Sequence, residues 1–238
     1  MRAANVLVSI IIPVHNKEKA RICIEHIKRQ THQNIELIPV DFKGFTAEKR
    51  NYGYGKSKGS YVLFLDEDEY MTPATIEACL KKFNEGLDIV GIPQIKAIPK
   101  TYVEKCASIL KENVAKPLFF RRCVLENVGL FRTKYVLCDD LDLLLRAFKA
   151  GYKLDIIDVK DGYILHDETN SLTSLVQKTL WGKKSYRELQ AEYGTGLDVL
   201  TRKPSQRRRI MRLLNKQAAL IPGTLLIMCI LFVARRMP

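Results

Sequence analysis

Tyr61-Val62-Leu63-Phe64-Leu65-Asp66-Glu67-Asp68-Glu69-Tyr70 decides how the chain folds: five uncharged residues run directly into four consecutive acids. An unbroken apolar run of this length, rich in β-formers, predicts a strand buried on both faces. Ligands of open α/β sheets bind beyond the carboxyl ends of the strands, and this end carries Asp66 and Asp68 one residue apart. Hard divalent cations take carboxylate oxygens, and a Mg²⁺ or Mn²⁺ shared with a phosphorylated substrate needs only one or two of them. The segment reads as a metal–diphosphate site at the tip of a core strand. Taken alone, it also fits a solvated acidic turn.

Working outward, residues 6–14 read as a first buried strand and 17–30 as a helix with Ala20, Ile22, Cys23 and Ile27 at helical spacing. Residues 35–40 form a second strand ending at Asp41, and 46–57 a weak, Gly-interrupted helix. Downstream, Thr72 and Pro73 are the expected N-cap and first residue of a helix reaching Phe83. Residues 87–92 read as a fourth strand, 95–116 as a helix or loop, and 118–120 as a further short strand. A helix over 141–150 is closed by Gly151, short strands follow at 152–158 and 162–166, and 172–193 is helical. Strands alternating with helices predict an α/β, Rossmann-like, mainly parallel sheet. In such a sheet Pro13-Val14-His15-Asn16, Asp41 and Asp66-Glu67-Asp68 share one edge and outline a nucleotide pocket. Arg50 lies between them in sequence, and its guanidinium could fork onto a base edge or a phosphate.

With 238 residues, 47% of them hydrophobic, the chain can build one core but not two large domains. Its six cysteines form no CxxC pair, which argues against a disulfide framework and for a reducing compartment. The apolar run at 6–14 is short and leads into His15-Asn16-Lys17, so it reads as a strand rather than a signal peptide. The net charge of +13 is uneven: from Thr201 onward there are nine basic residues and no acid. Residues 218–234 then run without a charge, interrupted by Pro222-Gly223. As a helix they would reach roughly 25 Å, short of the ~30 Å hydrocarbon core. A short span, a re-entrant segment or an interfacial helix all fit, and a basic cluster before an apolar segment is the pattern of an anionic membrane surface. Nucleic acid is not expected, because the basic run has no interleaved aromatics.

Several motifs in order carry a resemblance to the inverting glycosyltransferases of family 2, which have the GT-A fold. They are SIIIPVHN, the strand ending in Asp41, KRNYGYGKSKGSYVLFLDED, the segment 120–131, and Cys138-Asp139-Asp140-Leu141-Asp142 with Arg146. The resemblance spans roughly residues 6 to 182. It implies a catalytic domain over 1–175, while the basic and apolar pattern of the tail makes 176–238 a helical, membrane-associated region. It implies a UDP- or GDP-linked sugar donor held by Pro13, His15, Asn16, Asp41, Arg50, Asp66 and Asp139. It implies a Mg²⁺ or Mn²⁺ held by Asp68, with Asp66 and His166 assisting, and Asp140 as catalytic base. Trp181, Lys183 and Lys184 are implied at the acceptor or phosphate side. The basic tail suggests a polyprenyl-phosphate or lipid-linked glycan acceptor at the cytosolic membrane face. Phe42-Lys43-Gly44-Phe45 departs from the family's usual Asp-Gly-Ser turn after Asp41, and Asp139-Asp140 replaces Glu-Asp. Two other readings are a catalytically silent nucleotide-sugar-binding partner and a sugar nucleotidyltransferase. The second would show a Gly-rich basic loop after the first strand, where this chain has His15-Asn16-Lys17-Glu18.

Overall fold

The structure, a computed structural model, describes residues 6–110, 115–168, 171–194 and 218–236. The basic stretch at 201–217 lies outside the described residues. The chain divides into two compact units. The first comprises Met1–Ala97, Asn113–Lys134 and Asp139–Glu168, the second Ile98–Glu112, Tyr135–Cys138 and Thr169–Pro238.

In the first unit, β1 (Val8–Pro13) is buried along its whole length, as two-sided cover requires. It pairs in parallel with β2 (Ile35–Val40) and with β3 (Tyr61–Phe64). Alternate residues of these strands enter opposite layers, following the two-residue period of a strand. Ile10, Ile12, Leu63 and Phe119 pack with Cys23, Ile27, Ile76 and Phe83, which come from α1 (Lys17–Lys28) and α3 (Thr75–Asn84). Ile11, Val62, Phe64 and Phe120 pack on the other side, with Ala47 of α2 (Thr46–Lys56), Leu125 of α5 (Arg122–Val128) and Leu143 of α6 (Asp139–Lys149).

The described strands make one mixed sheet ordered β2-β1-β3-β6-β5-β8-β4, with β7 (Leu154–Ile156) also on β5 (Ile89–Lys96). The strand expected at 118–120 is longer, β6 (Ala115–Arg121), and antiparallel to both β3 and β5. That reversal brings the start of β6 to the edge where β1, β2 and β3 end. β5 runs parallel to β7 and to β8 (Ile164–His166).

One strand was not foreseen and one expectation fails locally. The acidic tip turns into a short strand, β4 (Glu69–Met71), antiparallel to β8. Thr72 continues that pairing, with its N–H donating to the Tyr163 carbonyl at 3.0 Å, so it does not cap α3, which starts at Thr75.

Gly59, in the Lys58-Gly59-Ser60-Tyr61 run, lies where β3 meets β1. A Cβ there would come within 2.6 Å of the Ser9 backbone nitrogen and 2.7 Å of the Leu7 carbonyl. Backbone cannot yield as a side-chain tip can. Gly59→Ala is expected to destabilise by about 1–3 kcal/mol, read as a lower urea midpoint. An unchanged midpoint would show that β1 and β3 separate freely.

The second unit contains α4 (Tyr102–Leu110), α7 (Leu172–Tyr193), a 3₁₀ turn (Ala218–Leu220) and α8 (Ile221–Arg236). Residues 98–110 thus hold a helix where sequence left helix and loop open. Pro222 does not interrupt α8. It sits in the first turn, where its missing N–H is not required. Cys106, Ala107, Leu175 and Ile227 form the unit's core. Among the described residues no helix is long and apolar enough to cross a membrane.

Candidate active site

Three segments converge at the carboxyl edge of the sheet. From α2 comes Arg50, only 5% exposed. It donates to Asp66 Oδ1 at 2.8 Å and to Asp139 Oδ2 at 3.0 Å, and lies over the Phe131 ring at 5.1 Å. A solvated helix residue is therefore not its role. The next residue, Asn51, closes a reciprocal pair with the Phe131 backbone, accepting at 3.1 Å and donating at 2.8 Å. Arg50-Asn51 thus ties α2 to the acidic tip and to the start of α6.

Asp66 is also met by Lys116 at the start of β6, 2.8 Å from Oδ2. Lys116 is 6% exposed and bonds Glu69 as well. Glu69 is buried, accepts the Asp66 N–H at 2.8 Å and takes a further bond from Gln94. Burial works against the charge of Asp66, but Lys116 and Arg50 outweigh it and hold that carboxyl well below the usual range. Burial wins at Glu69 and pushes its carboxyl up. Burial also raises Asp139, against the pull of Arg50 and with the push of Asp140. Lys116 and Arg50 stay cationic because their carboxylate partners overcome the burial that would discharge them.

Asp68 faces a different set of groups. His166 Nε2 lies 3.6 Å from its Oδ1 and Lys19 Nζ 3.8 Å from its Oδ2. The β4–β8 pairing brings this about, with the Asp167 N–H donating to the Asp68 carbonyl at 2.9 Å. Burial lowers the basicity of His166, but the neighbouring Asp68 and Glu69 carboxylates raise it overall. Among the described residues no three His, Cys, Asp or Glu side chains converge as a self-sufficient metal cage. A carboxylate in the turn before β4 and an imidazole at the end of β8 still match what Mg²⁺ or Mn²⁺ takes from a protein when phosphate oxygens fill the remaining positions. Asp66, expected to assist the metal, has both oxygens engaged by cations.

The other expected residues are placed as follows. Pro13 ends β1. The N–H groups of His15 and Asn16 donate to Glu67, and the Asn16 side chain caps α1 by accepting from Glu18 and Lys19 at 3.0 and 3.1 Å. The ring of His15 lies 3.1 Å from Lys49 Nζ, and burial together with that cation lowers its pKa. Asp41 is exposed and pairs with Lys17 at 3.1 Å. Exposed Phe42 and Phe45 follow it, and Phe42 packs edge-on against Tyr52 at 5.6 Å. Asp140 is exposed in the first turn of α6, its Oδ1 accepting the Leu141 N–H at 2.8 Å. Asp142 and Arg146 are structural: Arg146 pairs with Asp142 at 2.9 Å and donates to the carbonyls of Val128, Gly129 and Leu130. Trp181, Lys183 and Lys184 stand on α7 of the second unit, with Trp181 and Lys184 exposed. Sequence reasoning missed Lys116 and Gln94 and left Glu67 and Glu69 without roles. An isolated Lys before a strand of unknown direction carries no signal of its own.

The fold is that of the GT-A glycosyltransferases. A mannosyltransferase from Pyrobaculum calidifontis, solved with GDP-Man and Mn²⁺, superposes with a TM-score of 0.58 at 14% identity, over 95% of this chain and 73% of that one. S. aureus TarS gives 0.54 at 14% identity, over 88% and 43%. The Glycosyl transferase family 2 profile matches residues 45–133. The uncharacterized glycosyltransferase EpsJ of Bacillus subtilis is 26% identical over 78% of this chain and 68% of its own. Glycosyltransferase GlyG of Streptococcus pneumoniae is 29% identical over 33% of this chain and 36% of its own, so the chain matches little more than a third of that relative. Over residues 45–133 the chain is thus similar to glycosyltransferase family 2, and the curated relatives it resembles are glycosyltransferases.

Proposed function

We propose that the protein transfers a sugar from a nucleotide-diphospho-sugar to a hydroxyl or phosphate acceptor with inversion at the anomeric carbon. The observation that carries this reading is Arg50, buried between Asp66 and Asp139. It joins the acidic tip of β3 to the helix turn that bears Asp140. An acceptor oxygen attacks the anomeric carbon, the carbon–oxygen bond to the diphosphate breaks on the opposite face, and Asp140 takes the acceptor's proton. Arg50 fixes Asp139 and through it the first turn of α6. Asp68 and His166 would hold Mg²⁺ or Mn²⁺, which when bound neutralises the charge of the departing diphosphate. Pro13, His15 and Asp41 flank the nucleoside side. Solved neighbours hold GDP-Man with Mn²⁺ and, in TarS, UDP-GlcNAc, which supports a donor of this class. On α7, exposed Trp181 and Lys184, with Lys183, are suited to a sugar face and a phosphate. The basic, apolar C-terminal sequence supports an acceptor at the cytosolic membrane face, a polyprenyl phosphate or a lipid-linked glycan.

The test is a thermal-shift panel of UDP-, GDP- and dTDP-sugars with and without Mn²⁺. A donor at a hundred times its Kd stabilises by about 2.7 kcal/mol. One nucleotide class is expected to raise Tm, and more so with Mn²⁺. No shift with any donor would overturn the reading.

A further inference from the structure

Helix α8 is apolar on two opposite faces, and only one of them is used inside its unit. At ~100° per residue, Thr224, Ile227, Leu231 and Ala234 fall on one side. Ile227 and Ala234 are 4% and 3% exposed, and Ile227 packs with Cys106, Ala107 and Leu175. Gly223 makes this contact close, since a Cβ there would meet Tyr102 at 2.5 Å and the Cys106 sulfur at 2.7 Å. The Tyr102 hydroxyl also donates to the Ala219 carbonyl at 3.0 Å. The helix is therefore held along its length by α4 and α7. Leu225, Leu226, Cys229 and Val233 fall on the opposite side, and Leu226 and Val233 are 61% and 60% exposed.

We infer that this outer stripe is a membrane-docking face that lies in the interface of an anionic bilayer, with α8 parallel to the surface. The inference deepens the membrane reading above and rests on it. Charge names the occupant. Residues 201–217, immediately before the helix, carry seven basic residues and no acid, and Arg235-Arg236 closes it. Such a sequence is drawn to anionic headgroups, while a second copy of this chain would bring the same positive charge against it. Sixteen helical residues reach about 24 Å, less than the hydrocarbon thickness. Turning α8 across a bilayer would also strip Ile227 and Ala234 from the unit's core. An in-plane helix keeps that core and buries the stripe at the boundary of headgroups and acyl chains.

The full chain is sedimented with vesicles of equimolar phosphatidylglycerol and phosphatidylcholine, and with phosphatidylcholine alone. Wild-type protein is expected to pellet with the anionic vesicles. L226E/V233E weakens that binding at least about tenfold while keeping wild-type Tm, since both positions are exposed. A polarity-sensitive probe on Cys229, in a C123S/C138S background, gives a second readout and shifts to the blue on anionic vesicles. Undiminished vesicle binding by L226E/V233E overturns the inference, as does an unshifted probe on bound protein or a dimer that shields Cys229 before vesicles are added. Wild-type protein that ignores anionic vesicles removes the membrane reading as well. The donor-sugar panel tests the transferase reading independently of either result.

Discussion

Asp140→Asn is expected to lower kcat by about 10³-fold while leaving donor affinity and Tm unchanged. The amide keeps the shape of the carboxylate but cannot take a proton from the attacking acceptor. Asp140 is exposed and makes a local bond to the Leu141 N–H, so the exchange costs the fold little. Arg50 binds the neighbouring Asp139, and the link between acidic tip and helix survives the substitution. A kcat within tenfold of wild type would remove Asp140 from the base role. Retained donor shifts together with lost turnover would exclude a chain that only binds nucleotide-sugars.

Lys116→Met is expected to have the largest effect on stability of any single site substitution, about 3–5 kcal/mol, read as a large fall in the urea midpoint. The ammonium stands between Asp66 and Glu69, and both it and Glu69 are buried. Methionine fills a similar volume but leaves Glu69 with Gln94 and a backbone N–H as partners, and leaves Asp66 with its Arg50 ion pair. Truncating one partner of a buried pair is costly chiefly because the other charge is stranded. The double variant K116M/E69Q removes the stranded charge and should recover more than half of the loss. A double-mutant cycle measures the coupling directly. Additive effects would show that Lys116 does not act through Glu69.

How much of this was legible in the sequence depends on the range of the interaction. Residues 61–65 announce a two-sided strand because every side chain is apolar, and the structure buries all of them. Asp66 and Asp68 announce a charged tip because they follow that strand directly. Arg50 stands out as a guanidinium between strand ends able to fork onto a base edge or a phosphate, but the structure engages it with two carboxylates. Its partner Asp139 lies 89 positions away, and only the packing of α6 on the sheet makes the contact. Lys116 was invisible for a sharper reason. Whether it reaches the site depends on β6 running antiparallel to β3, and three apolar residues at 118–120 do not encode a direction. Thr72 misled because Thr-Pro is a sound helix start on local grounds, and the β4–β8 pairing overrode it. The split of Asp66 and Asp68 between two sets of partners was likewise closed to inspection, since both are the same residue type two positions apart.

Arg50-Asn51 has a consequence for exchange of parts between relatives. Two adjacent side chains on α2 grip three distant positions, Asp66, Phe131 and Asp139. A chimera that imports residues 129–140 from a relative inherits that relative's backbone path at 131 and its acid at 139, yet must fit the host's α2. Recombination breakpoints between α2 and α6 are tolerable only where both sides already agree on this grip. The acidic tip of β3 and the first turn of α6 are thus heritable as one block with α2, while the strands and helices around them are free to diverge.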